Sequence, residues 1–212
     1  MAHRAQAEGT RERLLEAAGK VFAEKGFRAT TVRGVCKKAG ANIAAVNYHF
    51  GGKNKLYAAV LSSIVRYAMT KYPPDLGQAE AETPEERLYA FVRGFLLRVL
   101  DPDQPAWHRK LLAIEMAQPS DAMRSAIESG IRQGHRLLHD ILVELLGPRA
   151  GDECIDLCIA SIAGQCLFYQ RGRHMISRVL RHIEFTPDGV DKLARHIAKF
   201  SLNGVHGPRN AR

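Results

Sequence analysis

Apolar residues recur three and four positions apart along nearly the whole chain, and this helical periodicity is the feature that most constrains the fold. No run of alternating Val, Ile or Thr between paired turn signals interrupts it, so the sequence predicts no strand. We expect an all-α fold. The helices are predicted at about 10–25, 31–39, 42–50, 53–72, 83–100, 106–118, 120–147, 152–172 and 186–202, with a short piece at 174–182.

The positive charge of the chain is concentrated at one end. Residues 1–60 contain 11 Lys and Arg against 4 Asp and Glu, whereas the other 152 residues are nearly balanced, with 20 against 18. A positive field on one small unit indicates a nucleic acid or an anionic membrane surface as the partner. A solvated basic face without a partner is the simpler alternative.

The sequence predicts a cytoplasmic protein. The first 18 residues are polar and charged where a signal peptide would have its apolar core. The longest apolar stretch, 157–169, is too short to span a bilayer and is interrupted by polar residues and a glycine. Four cysteines without a secretory signal favour a reducing compartment over a disulfide framework.

Two short helices separated by a tight turn are predicted inside the basic end. Thr31 is placed to cap the helix in "TVRGVCKKAG", and Gly40 is placed to end it. The next helix runs from about Asn42 to the Gly51-Gly52 pair. Its inward side is predicted to carry Ile43, Val46 and Phe50. A helix, a tight turn and a second helix are typical of DNA-binding proteins.

The remaining surface of that second helix suits the major groove of DNA. Small side chains allow a close approach, Ala can touch a thymine methyl group, and Asn can pair with adenine. Tyr48 and His49 can donate to phosphates, and Lys53 adds charge at the N-terminal turn of the following helix. The surface set is Asn42, Ala44, Ala45, Asn47, Tyr48 and His49. A structural role remains open, with Tyr48 covering the core and His49 capping a helix end.

The stretch "TTVRGVCKKAGANIAAVNYHFGGKNKLYAAVL" resembles the DNA-binding head of the TetR family of bacterial transcriptional regulators. The resemblance covers about residues 10–62 and implies a three-helix head, a connecting helix, and a helical body that dimerises and binds an inducer. By position it implies phosphate contacts at Thr31, Tyr48, His49 and Lys53. It implies base-facing residues at Arg33, Ala44, Ala45 and Asn47. Ile43 and Asn47 depart from the residues usual in the family, which leaves the operator sequence open.

The rest of the chain resembles the YbiH/CecR-type C-terminal domain in "RKLLAIEMAQPSDAM", "HRLLHDILVELLG" and "ASIAGQCLFYQRGR". The predicted organisation is a flexible segment 1–9, a helix-turn-helix domain 10–55, a helical ligand-binding and dimerisation domain 56–202, and a disordered tail 203–212. The family's two-helix dimer interface is expected at 120–146 and 152–172. The second of these helices carries an apolar stripe of Ile155, Cys158, Ile159, Ile162, Cys166 and Tyr169.

A ligand pocket is expected among the helices of the body. Its candidate lining residues are Phe91, Phe95, Trp107, Leu111, Glu115, Met116, Met123, His135, Cys166 and Tyr169. A place in the core is the alternative for each apolar member, and Trp107 either walls a ligand or shields a helix start. Glu115 is a carboxylate in an otherwise apolar helix. Pairing with an arginine such as Arg136 is favoured over contact with a cationic ligand.

These observations predict a ligand-responsive transcriptional regulator, a repressor that binds a near-palindromic operator as a homodimer and is released by a small-molecule inducer. No cofactor is expected. One alternative is a metal- or thiol-redox-sensing regulator, because His135 and His139, and Cys154 and Cys158, lie four residues apart. A constitutive DNA-binding protein is another. An enzyme is disfavoured, since the sequence contains no GxSxG, HExxH, Walker or GxGxxG pattern.

Overall fold

Helices form almost all of the regular structure in this chain. The computed structural model describes residues 2–148 and 150–206, with the side chains of 2–7, 129 and 206 excepted, and this part of the chain contains no strand. The helices are α1 Ala2–Ala29, α2 Val32–Ala39, α3 Ile43–Phe50, α4 Lys53–Lys71, α5 Pro84–Leu100, α6 Ala106–Ala117, α7 Asp121–Leu146, α8 Asp152–Val179 and α9 Pro187–His206. The predicted all-α fold is confirmed.

The chain divides into two compact units, and the division does not follow the order of the sequence. The first unit contains the residues through Tyr67 together with Asp103–Ser129, and the second contains Ala68–Pro102 together with the residues from Gly130 onward. Helix α6 and the start of α7 therefore belong to the unit that holds the helix-turn-helix segment. The domain boundaries 10–55 and 56–202, as functional divisions, stay a prediction.

The core of the first unit is apolar and draws on every helix of that unit. Its fully buried members come from α1, α2, α3, α4 and α6. Representative side chains are Leu14, Phe22, Val35, Val46, Leu56 and Leu111. Burying one large aliphatic or aromatic side chain contributes about 1.5–3 kcal/mol, so this cluster holds the short helices α2 and α3 in place.

The core of the second unit is formed mainly by α5, α7, α8 and α9. Its buried members include Leu88, Leu96, Leu142, Ile162, Cys166 and Ala194. Helix α5 begins with a capping box between Thr83 and Glu86, with Pro84 in the first turn. Asp191 joins α9 to α5, because its carboxylate accepts hydrogen bonds from Tyr89 and Arg93 of α5.

Three predicted helix ends differ from the structure. Helix α1 begins at Ala2 rather than at Thr10, and Gly26, with φ of 75° and ψ of 170°, kinks it where the sequence predicted its end. Helix α8 continues to Val179 without the break expected after 172. Helix α9 extends to His206, so residues 203–206 of the predicted disordered tail are helical, and 207–212 lie outside the described residues.

Candidate nucleic-acid interface and ligand region

Local capping fixes the two helices of the helix-turn-helix segment. Thr31 caps α2 by accepting a hydrogen bond from the backbone N–H of Gly34 at 3.1 Å, and Asn42 caps α3 in the same way from Ala44 at 3.1 Å. Gly40 and Gly51 end the helices with φ of 60° and 71°, a conformation that favours glycine. The predicted turn is therefore formed by the residues that the sequence assigned to it.

Helix α3 presents one face to the core and another to solvent. Val46 and Phe50 are buried, as expected. Ile43 is 45% exposed, so its predicted place on the inward side is wrong: it sits in the first turn, beyond the reach of the core. The exposed face consists of Ile43, Ala44, Asn47 and Tyr48. Ala45 is half-buried and packs partly against the core of the first unit, which leaves it less available than Ala44.

The side chains predicted to contact phosphates lie around this face. Tyr48 is 83% exposed, and its ring meets that of His49 edge-on, with centroids 5.0 Å apart. The Nζ of Lys53 donates to the carbonyl of Arg28 at 3.3 Å and lies 4.5 Å from the centroid of Phe27. Lys53 thus starts α4, and its ammonium is held against the end of α1. Arg33, on α2, is exposed.

Arg11 is a basic residue near the interface that the sequence analysis did not single out. Its guanidinium lies 5.4 Å from the ring centroid of Phe50, the last residue of α3. The predicted helix at 10–25 already included Arg11, and packing within the first unit brings its side chain to the end of α3. The place of Arg11 among the basic residues just before Leu14 was a usable signal.

Glu115 has different partners from the arginine that the sequence suggested. Its carboxylate is 3% exposed and accepts hydrogen bonds from the Tyr57 hydroxyl of α4 and, at 2.8 Å each, from the backbone N–H and hydroxyl of Ser120. Burial first, and then the Glu115 carboxylate, raises the pKa of Tyr57. The expected pairing with Arg136 is wrong. This network joins α4 and α6 to the residue that precedes α7.

The other first-unit members of the proposed ligand set pack in the protein interior. Leu111 and Met123 belong to the core cluster, with Trp107 against it. The indole ring of Trp107 covers Gly19 of α1 so closely that a Cβ atom at Gly19 would overlap it. Trp107 therefore packs α6 on α1. Met116 is half-buried.

The second unit holds the remaining proposed ligand residues. Phe91 and Cys166 are buried in its core, and Phe95 and Tyr169 pack against that core. His135 has a side chain that is 48% exposed and lies 3.7 Å from Asp156. This imidazole faces solvent rather than the core of the second unit.

The residues considered for metal binding form smaller groups than a metal site needs. In the described part of the chain, no group of three or more His, Cys, Asp or Glu side chains is arranged to hold a metal ion. Cys154 and Cys158 are free cysteines, and burial first, then the neighbouring Cys154, raises the pKa of Cys158. His135 and His139 have ring centroids 6.2 Å apart.

Among residues 2–148 and 150–206, no helix combines the length and apolar character that crossing a membrane requires.

Solved structures of other proteins share this fold. FadR from Bacillus subtilis, in complex with stearoyl-CoA, superposes with a TM-score of 0.63 at 16% identity, covering 92% of this chain and 99% of that one. A transcriptional regulator of the TetR/AcrR family from Thermobifida fusca superposes with a TM-score of 0.58 at 20% identity, covering 92% and 97%. These similarities concern the fold alone.

Sequence comparison identifies the family to which the chain belongs. The chain is 31% identical over 211 residues to the HTH-type transcriptional repressor NicS of Pseudomonas putida, an alignment that covers 94% of each chain. Two other curated relatives align over 73 residues each, and the chain spans 34% and 54% of their lengths. Residues 14–60 match the family of bacterial regulatory proteins of the tetR type. Residues 84–205 match the C-terminal domain of the HTH-type transcriptional dual regulator CecR. The chain therefore belongs to the TetR family of bacterial regulatory proteins and carries a C-terminal domain of the CecR type.

Proposed function

We propose that this protein is a transcriptional repressor that binds a near-palindromic operator as a homodimer and leaves it when a small molecule binds. The observation that carries the proposal is the exposed face of α3, held between a capped start at Asn42 and a glycine end at Gly51. The relative NicS is named a repressor, which supports the direction of regulation. Such a regulator acts on DNA in the cytoplasm.

Base reading is assigned to the exposed face of α3 and to Arg33. Asn47 is exposed and can pair with adenine through its amide, and Ala44 is small enough to let the helix backbone approach the base edges. Ile43, exposed in the first turn, adds an apolar surface suited to a thymine methyl group. Arg33 supplies a guanidinium for the two acceptors of guanine.

Phosphate binding is assigned to the residues that flank this face. Tyr48 and His49 extend from the end of α3, and Lys53 lies at the N-terminus of α4, where unpaired backbone N–H groups also favour an anion. Thr31 accepts a hydrogen bond from Gly34, and its hydroxyl hydrogen can still be donated to a phosphate. Arg11 adds a further charge near the end of α3.

Dimer formation is assigned to a stripe of exposed residues along α8. These residues follow one another at spacings of three, four and seven, so they share one helix face: Leu157, Ser161, Gly164, Phe168, Met175 and Val179. Leu157 is 63% exposed and Val179 is 70% exposed, which is unusual for large aliphatic side chains. Phe200 of α9 is exposed on the same cleft as Phe168. A second copy that covers this stripe gives a two-fold dimer.

This assignment changes the helices expected to form the interface. The sequence analysis proposed 120–146 and 152–172, with the stripe Ile155, Cys158, Ile159, Ile162, Cys166 and Tyr169 packed on both the body and a partner. In the structure, those six residues belong to the core of the second unit or pack against it. The proposed interface therefore uses the opposite face of α8 and the adjoining face of α9.

Release by a small molecule is proposed for the second unit. FadR of the same fold was solved with stearoyl-CoA, which supports a ligand site within this architecture. The proposed pocket draws on Phe91, Phe95, Cys166 and Tyr169. A ligand that binds one conformation of the dimer better than the other shifts the population away from the state that fits the operator.

The test is selection of DNA from a random duplex pool by the wild type and by an Asn47→Ala, Tyr48→Ala double variant. We expect the wild type to recover an inverted repeat and the double variant to lose that preference. An Ile131→Ala variant, altered at an exposed site on α7, serves as the control and keeps the preference. If wild type and double variant bind all duplexes alike with a steep salt dependence, the basic end only binds phosphates and the base-reading assignment is wrong.

A further inference from the structure

Arg98, near the end of α5, places a positive charge inside the second unit. The residue is 9% exposed, although arginine is seldom buried without a charged partner. Removing a guanidinium from water costs several kcal/mol unless an opposite charge and hydrogen bonds compensate it. The groups around Arg98 therefore determine whether its charge is compensated within the protein.

The protein supplies Arg98 with neutral partners. Its Nη1 donates to the backbone carbonyls of Tyr72 and Pro73, at 3.0 and 3.1 Å, and its guanidinium lies 5.7 Å from the ring centroid of Phe95. Asp101, the nearest acidic residue in sequence, forms its ion pair with Lys71 at 2.9 Å. Burial lowers the pKa of Arg98 to about 10, so the side chain is still protonated at neutral pH.

One edge of the guanidinium is unused. Arginine has five N–H donors, and the two carbonyl bonds occupy only Nη1. The described residues provide no hydrogen-bond partner for Nε or Nη2. These two nitrogens form the edge that binds a carboxylate or phosphate through two parallel hydrogen bonds.

Two aromatic side chains lie on the same helix face as this charge. Phe91, Phe95 and Arg98 lie at spacings of four and three on α5, so they share one face of that helix. Cys166 of α8, which belongs to the same core, is completely buried. Burial raises the pKa of Cys166 to about 12, which keeps the thiol neutral and unable to compensate the charge.

Gln170 adds a second polar group without a protein partner. It follows Cys166 by one turn of α8, on the same helix face, and its Oε1 is buried without a hydrogen-bond partner in the described structure. Rotating the amide by 180° would present its N–H₂ donors instead. A ligand with polar atoms at one end would satisfy both α5 and α8.

We propose that Arg98 binds the anionic group, a carboxylate or a phosphate, of a small molecule whose apolar part lies along Phe91 and Phe95. The inference rests on the proposed ligand response and names the chemical class of the ligand. The two carbonyl bonds hold the guanidinium in place, as they cap the turn after α4, and the Nε–Nη2 edge receives the anion. Gln170 contacts the polar end of the same ligand from α8.

The experiment compares matched acids and neutral analogues on the full-length protein without DNA. The probes are decanoate, 3-phenylpropionate and decyl phosphate, with decanamide, 3-phenylpropanamide and decanol as uncharged counterparts, and affinity is measured by calorimetry. We expect at least one acid to bind the wild type tenfold or more tightly than its counterpart. A preference for decyl phosphate over decanoate identifies phosphate as the anion, and the reverse preference identifies carboxylate.

Variants at Arg98 assign the effect to this residue. Arg98→Met is expected to lose tenfold or more in affinity for the acid while binding the neutral analogue as before. Arg93→Met, a more exposed arginine on the same helix, is the matched control and keeps the wild-type affinity. If Arg98→Met does not fold, Arg98→Lys is the test variant, because it keeps the positive charge but lacks the Nε–Nη2 edge. Its affinity for the acid should fall, whereas its affinity for the neutral analogue should not change.

Three results would overturn the inference: equal binding of acids and neutral analogues, unchanged acid binding by the Arg98 variants, or no binding by any acid of the panel. Operator selection is measured on the same preparations. Protein that selects an operator but shows one of these results disproves the anion site and leaves the proposed repressor intact. If the wild type itself selects no operator, the result contradicts the proposed repressor function instead.

Discussion

At the scale of single residues, the first unit buries two titratable side chains in opposite ways. The carboxylate of Glu115 accepts hydrogen bonds from Tyr57 and from both donors of Ser120. The imidazole of His108 is 6% exposed, and its Nδ1 has no hydrogen-bond partner in the described structure. Its ring packs instead against Trp107 and Tyr67, with centroids 4.0 and 5.5 Å away. A proton on His108 would be buried without compensation.

This environment predicts an acid-sensitive step in stability. Burial lowers the pKa of His108 to about 4, below its ordinary value of 6.5. Between these values the unfolded chain binds the proton more readily than the folded one, so stability falls as the pH drops from about 6.5 toward 4. Each unit of difference in pKa corresponds to about 1.36 kcal/mol, and the total effect is a few kcal/mol.

A His108→Phe variant keeps a ring in place and removes the titrating group. We expect urea unfolding at pH 7 and pH 5 to give a smaller loss of stability for the variant than for the wild type. His139→Phe, at an exposed imidazole, is the control and should follow the wild type. Identical pH dependence of the wild type and His108→Phe would show that His108 is not the sensitive group.

Partners of buried polar residues were the part of the site least accessible from the sequence. Glu115 was recognisable as an unusual carboxylate in an apolar helix, but Tyr57 lies 58 positions away and reaches it only through the packing of α4 on α6. Arg98 carried no local signal, because a helix with Arg93 and Arg98 does not tell which arginine faces inward. Thr31, Asn42 and Gly40 were predictable, since capping depends on neighbours a few residues apart.

At the scale of helices, the packing of α6 on α1 depends on one glycine. Gly19 lies in the middle of α1, where alanine would stabilise the helix by about 1 kcal/mol. The indole of Trp107 occupies the space that the new methyl group needs. Overpacking of this kind costs about 1–3 kcal/mol, so the clash outweighs the gain in helix propensity.

Gly19→Ala is therefore expected to lower the free energy of unfolding by up to about 2 kcal/mol, the cost of overpacking less the gain in helix propensity. In a Trp107→Ala background the space is vacant, and the same substitution should stabilise the protein through its helix propensity. Chemical denaturation of the four proteins of this double-mutant cycle measures the coupling. Gly9→Ala, on α1 with open space around it, is the control and should not destabilise. Destabilisation by Gly19→Ala in both backgrounds would contradict the role of Trp107.

Helix identity followed from periodicity, whereas helix ends did not always follow from it. A helix end was predicted at Gly172, followed by a separate short piece at 174–182. In the structure, the Ile176 side chain packs over Gly172, with its Cδ1 3.0 Å from where a Cβ atom would lie, and α8 continues. The N-terminal extension of α1 was missed because an expected cap at Thr10 was given more weight than the helix-forming residues before it.

At the scale of the whole molecule, each compact unit combines segments that are distant in the sequence, and a linear division of the chain could not predict this grouping. Periodicity gives helices in order but carries no information on which of them meet. The return of α6 to the first unit depends on the contacts of Trp107 and Glu115 with α1 and α4. The proposed repressor adds a second copy, and its contact surface on α8 stays a prediction.

Dimerisation predicts how affinity depends on the number of half-sites. Two linked heads bind an inverted repeat more tightly than a single half-site, by a factor of about 10²–10⁴ when the spacing fits both. Leu157→Asp places a charge on the proposed interface, near the start of α8, which should shift the protein to monomers in analytical ultracentrifugation. We expect this variant to lose about a hundredfold or more in affinity for the full operator while binding a half-site like the wild type.

Ile131→Asp provides the matched control, because Ile131 is 59% exposed on α7 and lies outside the α8 stripe. It should remain a dimer and keep the preference for the full operator. A Leu157→Asp protein that is still dimeric would place the interface elsewhere. A monomeric variant with undiminished affinity for the inverted repeat would show that one head suffices, which contradicts operator binding as a homodimer. Loss of half-site binding as well would mean that the substitution damages the first unit rather than separating the two copies.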